Sequence, residues 1–232
     1  MNVTKDKISS IFFQYSIPAV LGMLAISSAN IVDGFFIGNY VGDFGLAAIN
    51  ISFPIFSLLF GFALMLAIGS SVVSGKLIGQ GDIKSASIIF SKTMVCITLF
   101  SFITCTGLFL NIETVLHLFG ADENLTKIAI EYLSVILIFI PFLMIGVVLD
   151  YFVRVDNRPN LAFIALLLSA VINVILDWFL IVYLQKGIFG AALATGISQL
   201  ALIFILLPHF FSKKATLKFV KPIGNYMQII KA

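Results

Sequence analysis

The chain has 232 residues, of which 60% are hydrophobic and only 11% are charged, and its formal net charge at pH 7 is +3. Its mean hydropathy is +1.12. A water-soluble domain has about 25% charged residues, so this composition excludes a soluble globular protein and predicts an integral membrane protein. Cys96 and Cys105 lie in one apolar segment, where neither a disulfide framework nor a zinc site is expected.

Six apolar segments are long enough to cross about 30 Å of hydrocarbon as helices. A secretory signal peptide is the alternative for the first segment, because Lys5 and Lys7 precede its apolar core. The segment continues past its small residues for roughly 27 positions, so we interpret it as a retained span. The chain is thus predicted to be all-α, with a six-transmembrane-helix bundle over residues 1–211. The expected spans are residues 11–37, 46–78, 88–110, 128–152, 161–184 and 188–211.

The distribution of basic residues orients these spans. If the N-terminus is cytoplasmic, only Lys127 and Lys186 of the 14 lysines and arginines lie on the outer side. The positive-inside rule then places both termini in the cytoplasm. Residues 212–232 form a basic tail, which we interpret as a cytoplasmic linker in preference to a helix lying on the anionic leaflet. The inner basic residues are Lys5, Lys7, Lys76, Lys84, Lys92, Arg154, Arg158, Lys213, Lys214, Lys218, Lys221 and Lys231.

Polar side chains at matching depth predict a binding site. Asn173 and Asp177 lie four residues apart on one face of the fifth span. That face cannot point at lipid, because an ionised carboxylate in hydrocarbon costs roughly 2.5 to 3.5 kcal/mol or more. At 1.5 Å per residue, Asp33, Asp177 and Thr195 lie about 7 to 12 Å below the outer surface, with Asn173 one turn deeper. This all-oxygen set suits a hard cation or a shared proton.

The alternative for these residues is a packing network without an ion. Spans one, five and six contain no lysine or arginine, so neither Asp33 nor Asp177 has a cationic partner within them. We therefore expect the carboxylates to bind a cation or to hold protons. Asp150 and Arg154, in contrast, are spaced as a local ion pair at the end of span four. The neutral partners considered are Asn30 and Asn50 for Asp33, and Trp178 and Gln199 for Asp177.

Several motifs together carry a family resemblance. NIVDGFFIGNY followed by FGLAAINIS is similar to NVILDWFLIVY followed by FGAALATGIS, and internal repeats are common in transporters. With Pro18 fifteen residues ahead of Asp33, IGQGD after span two and GIFGAALATGISQ, the chain resembles the multidrug and toxic compound extrusion (MATE) family. The resemblance covers nearly the whole chain and is nearer to the DinF-like branch.

The resemblance implies the N-terminal six-helix lobe of an antiporter in the bacterial cell membrane, not an enzyme. Such a protein takes up Na⁺ or H⁺ and exports amphipathic or cationic compounds by alternating access. By resemblance, the cation ligands are Asp33, Asn173, Asp177 and Thr195. Pro18 removes a backbone hydrogen bond and would let the first helix bend with the state of the site; a static kink is the alternative.

The resemblance also defines the expected partners. These are a small-molecule substrate, membrane lipid and a second six-helix lobe; no cofactor beyond the coupling ion and no nucleic acid is expected. Because family members have two such lobes, the chain is expected to be either an N-lobe fragment or a half-transporter that pairs with another chain. An inactive N-lobe fragment is therefore one alternative function.

Other function classes are weighed against this one. An intramembrane aspartyl protease also uses two aspartates, but Asp33 follows valine and Asp177 follows leucine, unlike the YD and GxGD contexts of those enzymes. A rhomboid-like protease needs a histidine within a span, whereas His117 and His209 lie in a loop and at a helix end. A lipid-linked oligosaccharide flippase of the same superfamily is the strongest alternative, although its cavity is usually cationic and these helix interiors have almost no basic residues.

Overall fold

The computed structural model describes residues 8–221, without the side chains of Ile8 and Ile11. The predicted cytoplasmic placement of Lys5, Lys7 and residues 222–232 lies outside the described residues. A π-helical segment, Trp178–Tyr183, directly continues α6, and a 3-10 turn, Leu207–Phe211, follows α7. The α-helices of the described part are α1 (Ile8–Tyr40), α2 (Asp43–Gly79), α3 (Ile83–Leu110), α4 (Ile112–Leu118), α5 (Glu123–Val155), α6 (Pro159–Asp177) and α7 (Gly187–Leu206).

Within residues 8–221, six helical stretches are long and apolar enough to cross a membrane, which confirms the predicted all-helical, six-span architecture. The fifth stretch combines α6 with the π-helical segment, and the sixth combines α7 with the 3-10 turn. The stretch between the predicted third and fourth spans, which the sequence analysis left without a helix, contains the short helix α4. Leu116 anchors that helix by full burial, and Glu113 lies in its first turn, where a negative charge favours the helix dipole.

Helix α5 is the centre of the bundle. It packs against α2, α3 and α7, while α6 packs against α1 and α7 on the other side. Close approach of α5 and α7 depends on Gly196, where an added Cβ would overlap the ring of Phe139. Gly22 of α1 similarly lies against Leu166 of α6, with only 2.8 Å between the site of a Cβ and the Leu166 Cδ1 atom. Small residues therefore determine how tightly both flanks of the bundle pack.

Polar groups at helix ends and inside helices are mostly satisfied locally. The Asp82 side chain caps α3 by accepting from the Ser85 N–H at 3.0 Å, and Asp122 caps α5 by accepting from the Leu125 N–H at 2.7 Å. The expected ion pair in α5 is confirmed: Arg154 donates from Nε and Nη2 to both carboxylate oxygens of Asp150, each at 3.0 Å. This bidentate geometry neutralises a buried carboxylate within one helix.

Candidate cation site

Asp33 and Asp177, 144 residues apart in the sequence, meet where α1 packs against α6. Their carboxyl groups are close enough to influence each other electrostatically. Asp177 is fully buried and Asp33 is half-buried. Two like charges held this close in apolar surroundings are costly unless a cation or a proton lies between them. The structure thus unites the two carboxylates that matching depth selected.

The backbone at Asp177 departs from regular α-helix. Asp177 is the last residue of α6, and the π-helical segment begins at the next residue. The N–H of Leu184 bonds to the carbonyl of Phe179, five residues back, at 2.9 Å. In this wider turn Ile181 faces inward, whereas Trp178 is exposed. Single π-helical turns inside α-helices occur frequently at functional sites, and this one follows the buried carboxylate directly.

The buried oxygens of the pair have no protein hydrogen-bond partner. Asp33 Oδ1 and both carboxylate oxygens of Asp177 are enclosed and receive no hydrogen bond from any described residue. The neutral partners considered from the sequence, such as Asn30 and Gln199, do not bond to these oxygens. The described residues therefore do not form a packing network in which every buried carboxylate oxygen of the pair is hydrogen-bonded. Buried unsatisfied carboxylate oxygens are rare and point to a ligand that the protein binds.

Asn173 and Thr195 lie on the facing sides of α6 and α7. The Ser169 hydroxyl donates to the Ser198 carbonyl at 2.7 Å, which fixes the register of these two antiparallel helices. Asn173 is four residues beyond Ser169 and Thr195 is three residues before Ser198, so both lie about one turn nearer to Asp177. Asn173 is buried, and Thr195 is half-buried beside a narrow crevice that Phe56 also lines.

The four predicted ligands are thus not equally joined. Asp33 and Asp177 are close enough to influence each other electrostatically. No hydrogen bond among residues 8–221 connects the side chains of Asn173 or Thr195 with either carboxylate. Their register brings them to the adjoining turn, which leaves the ligand set of four a prediction. Pro18 is buried within a continuous α1, and its role in helix bending also stays a prediction.

Tyr132 of α5 is a site residue that the sequence analysis missed. Its phenol lies close enough to interact electrostatically with both Asp33 and Asp177. The available signal was depth: Tyr132 is four residues into the predicted fourth span, or roughly 6 Å below the outer surface. An aromatic hydroxyl at that depth is also typical of ordinary packing at a membrane interface, so depth alone does not single it out.

An apolar layer separates the carboxylates from the end of the bundle at which α1 and the π-helical segment terminate. We call this the outer end and the opposite one the inner end, after the orientation predicted from the sequence. Ile37 and Ile181, each four residues beyond one of the two aspartates, form a buried cluster with Ile188 and Ala191. Tyr132 packs against the same cluster. Because residues four apart lie on one helix face, the cluster covers the carboxylates by one turn of apolar side chains. This layer excludes water and strengthens electrostatic interactions beneath it.

The described residues form six helices that are long and apolar enough to span a membrane, and two of these helices bring a carboxylate pair together. These features define a multi-pass membrane protein of the transporter type. The family model described as MatE matches residues 18–179, and the chain therefore belongs to the MATE family of transporters, which are not enzymes. It corresponds to the N-terminal half of such transporters.

Two relatives and one solved structure illustrate the match. The multidrug export protein MepA of Staphylococcus saprophyticus is 28% identical over 92% of this chain and 49% of its own length. The probable multidrug resistance protein YoeA of Bacillus subtilis is 26% identical over 94% of this chain and 48% of its own length. An outward-facing multidrug resistance MATE transporter superposes with a TM-score of 0.87 at 25% identity, covering 94% of this chain and 48% of that one. The chain spans about half the length of the relatives it matches.

Proposed function

We propose that this chain is the cation-coupled lobe of an antiporter, in which Na⁺ or H⁺ occupies the site at Asp33 and Asp177. The observation that carries the proposal is the set of buried carboxylate oxygens without a hydrogen-bond partner. A Na⁺ ion would use these oxygens as hard ligands, with Asn173 and Thr195 completing the set from the adjoining turn. A proton shared by the two carboxyl groups satisfies the same pair.

The two carboxylates give a physical reason for coupling. With a cation or proton between them, Asp33 and Asp177 attract the same charge and hold α1 against α6. Without it, like charges repel across the helix interface, and α1 is favoured in a different position. Pro18, which interrupts the hydrogen bonding of α1, is where the helix would bend in response. Binding and release of the ion thus shift the population of two lobe conformations.

The exported compounds and the cellular setting follow from the family. MepA is named a multidrug export protein, so we propose that amphipathic or cationic small molecules are the substrates here as well. A substrate path would form with a second six-helix lobe, in the bacterial cell membrane, with both termini of this chain in the cytoplasm. Affiliation with the DinF-like branch stays a prediction, since the relatives reported above are MepA and YoeA.

Calorimetric titration of the purified, detergent-solubilised chain with Na⁺ at pH 6 and pH 8 tests the proposal. We expect saturable binding at pH 8 that is weaker at pH 6, because protons compete for the same oxygens. Asp177→Asn should abolish it, whereas Asp82→Asn, which changes an exposed capping carboxylate, should leave it unchanged. Undiminished binding in Asp177→Asn would refute the site. If no Na⁺ binds at pH 6 or at pH 8, sodium coupling is overturned and H⁺ is the coupling ion to be tested.

A further inference from the structure

The ten residues after the 3-10 turn, 212–221, begin with a turn, continue without helix or strand and pack against the bundle; we call this segment the strap. Its backbone N–H groups bond to serines of α3: Lys218 donates to Ser87 Oγ at 3.3 Å and Val220 to Ser91 Oγ at 2.9 Å. The side chain of Leu217, a residue of the strap, is fully buried. The strap is therefore fixed to the bundle along its length, and is not a free linker over these residues.

Asp156, in the turn between α5 and α6, is the main anchor of the strap. Its fully buried carboxylate accepts the N–H of Thr216 at 3.0 Å and that of Leu217 at 3.2 Å. His209 of the 3-10 turn donates from Nε2 to the same carboxylate at 2.6 Å. The Asp156 side chain thereby connects the 3-10 turn after α7 with the middle of the strap. Charge-assisted hydrogen bonds of this kind are roughly twice as strong as neutral ones.

The next residue, Asn157, holds a different element. Its Oδ1 atom accepts the hydroxyl of Tyr15, near the inner end of α1, at 2.6 Å. Asn157 has φ +62°, a left-handed conformation that asparagine tolerates better than most residues. The turn is rigid, because the N–H of Arg158 bonds back to the Val153 carbonyl at 3.1 Å and Pro159 starts α6 with a fixed φ.

We propose that the α5–α6 turn is a mechanical joint in which Asp156 positions the strap and Asn157 positions the inner end of α1. Because the two residues are consecutive in a rigid turn, a displacement of α1 is transmitted to the strap, and the reverse holds equally. The inference deepens the proposed function: α1 carries Asp33 near its outer end and Tyr15 near its inner end. A change at the cation site that moves the whole of α1, including the part before Pro18, would thus reach the strap.

Hydrogen exchange measured by mass spectrometry on the whole detergent-solubilised chain tests the joint, because coupling requires evidence beyond proximity. Asp156→Asn should raise exchange of the strap amides by about tenfold or more, since it weakens two charge-assisted bonds. It should also raise exchange in peptides covering residues 9–16 of α1. Tyr15→Phe, which removes one oxygen atom, should raise exchange of the strap, and Tyr183→Phe, at an exposed tyrosine outside the joint, should not.

The outcomes separate a joint from a simple tether. If Asp156→Asn loosens the strap but leaves residues 9–16 unchanged, and Tyr15→Phe leaves the strap unchanged, the two contacts are independent and the joint is refuted. The mild Tyr15→Phe variant decides the matter even if Asp156→Asn fails to fold. Sodium titration of the same variants distinguishes this result from the fate of the proposed function, because joint variants should still bind Na⁺ through Asp33 and Asp177.

Discussion

Buried carboxylates lie in two clusters of residues at opposite ends of the bundle, one around Asp156 and one around Asp177, and the clusters differ in one respect. At the inner end, Asp156 is satisfied by His209 and by two backbone N–H groups of the strap. At the outer end, Asp33 and Asp177 face each other, and their buried oxygens receive no hydrogen bond from the described residues. Burial of a carboxylate is therefore not in itself a sign of function. The completeness of its hydrogen bonds distinguishes a structural anchor from a binding site.

Asp150 supports this distinction from within a single helix. Asp150 is buried, and the guanidinium of Arg154 neutralises its carboxylate through two hydrogen bonds of 3.0 Å. The chain thus supplies a partner for a buried carboxylate in α5 and in the α5–α6 turn. At Asp177 no residue of the described part of the chain bonds to the carboxylate oxygens, so the missing partner is specific to the outer cluster.

The largest expected effect comes from Asp177→Asn. We expect this variant to lose Na⁺ binding by at least about 100-fold, because the ion loses the charge that offsets its dehydration. Its melting temperature in sodium-free buffer should stay equal or rise, since the substitution removes a repulsive buried charge. Thermal unfolding in detergent with and without Na⁺ measures both. A marked fall in sodium-free melting temperature would show that Asp177 is structural after all.

Asp156→Asn should give the reverse pattern. We expect a loss of about 3 kcal/mol in stability, because two N–H donors and His209 keep only a neutral amide in place of a carboxylate. Na⁺ binding should persist, with any change in affinity far smaller than the loss in Asp177→Asn. The check is thermal unfolding together with sodium titration of this variant and of Asp177→Asn. If Asp156→Asn and Asp177→Asn both lose stability, or both lose Na⁺ binding, the proposed difference between the two clusters is contradicted.

Thr195→Ala tests whether Thr195 belongs to the cation ligands of the outer cluster. If the hydroxyl is a ligand, we expect Na⁺ affinity to fall by about tenfold, or roughly 1.4 kcal/mol, with little change in stability. Thr106→Ala, at an exposed threonine of α3, is the matched control. Titration of both variants compares them directly. Equal affinities would remove Thr195 from the predicted ligand set and leave the carboxylate pair intact.

Tyr132→Phe should give the smallest of these effects. If the dipole of the nearby phenol stabilises the ionised carboxylates, its removal should favour the proton over Na⁺ and weaken sodium binding by about threefold. The weakening should be greater at pH 6 than at pH 8, because protons compete more strongly at the lower pH. Tyr183→Phe serves as the comparison. Tighter sodium binding in Tyr132→Phe would contradict the assigned role.

Much of the fold and part of the site could be predicted from the sequence. Span lengths and polar punctuation predict six helices because a bilayer fixes how long an apolar helix must be. Depth selects Asp33 and Asp177 because every span begins and ends at the same two surfaces. The lateral order of the helices is not encoded in depth, so the direct meeting of α1 and α6 required the structure.

Other features had no readable sequence signal. His209 and Asp156 are 53 positions apart in the sequence, and nothing in the sequence around either residue indicates that they form a hydrogen bond. The π-helical segment after Asp177 has the same apolar composition as the α-helix before it. Tertiary packing decides both features, because local propensity gives only a weak preference.

The most direct test of the central claim is the stoichiometry of Na⁺ binding in the unaltered chain and in Asp33→Asn, Asp177→Asn and the double variant. If the adjacent carboxylates hold one ion together, calorimetry should find one Na⁺ per chain. Either single substitution should then abolish binding, and the double variant should be no worse. Retention of binding by Asp33→Asn and Asp177→Asn, with loss only in the double variant, would contradict a shared site and show that the carboxylates act separately.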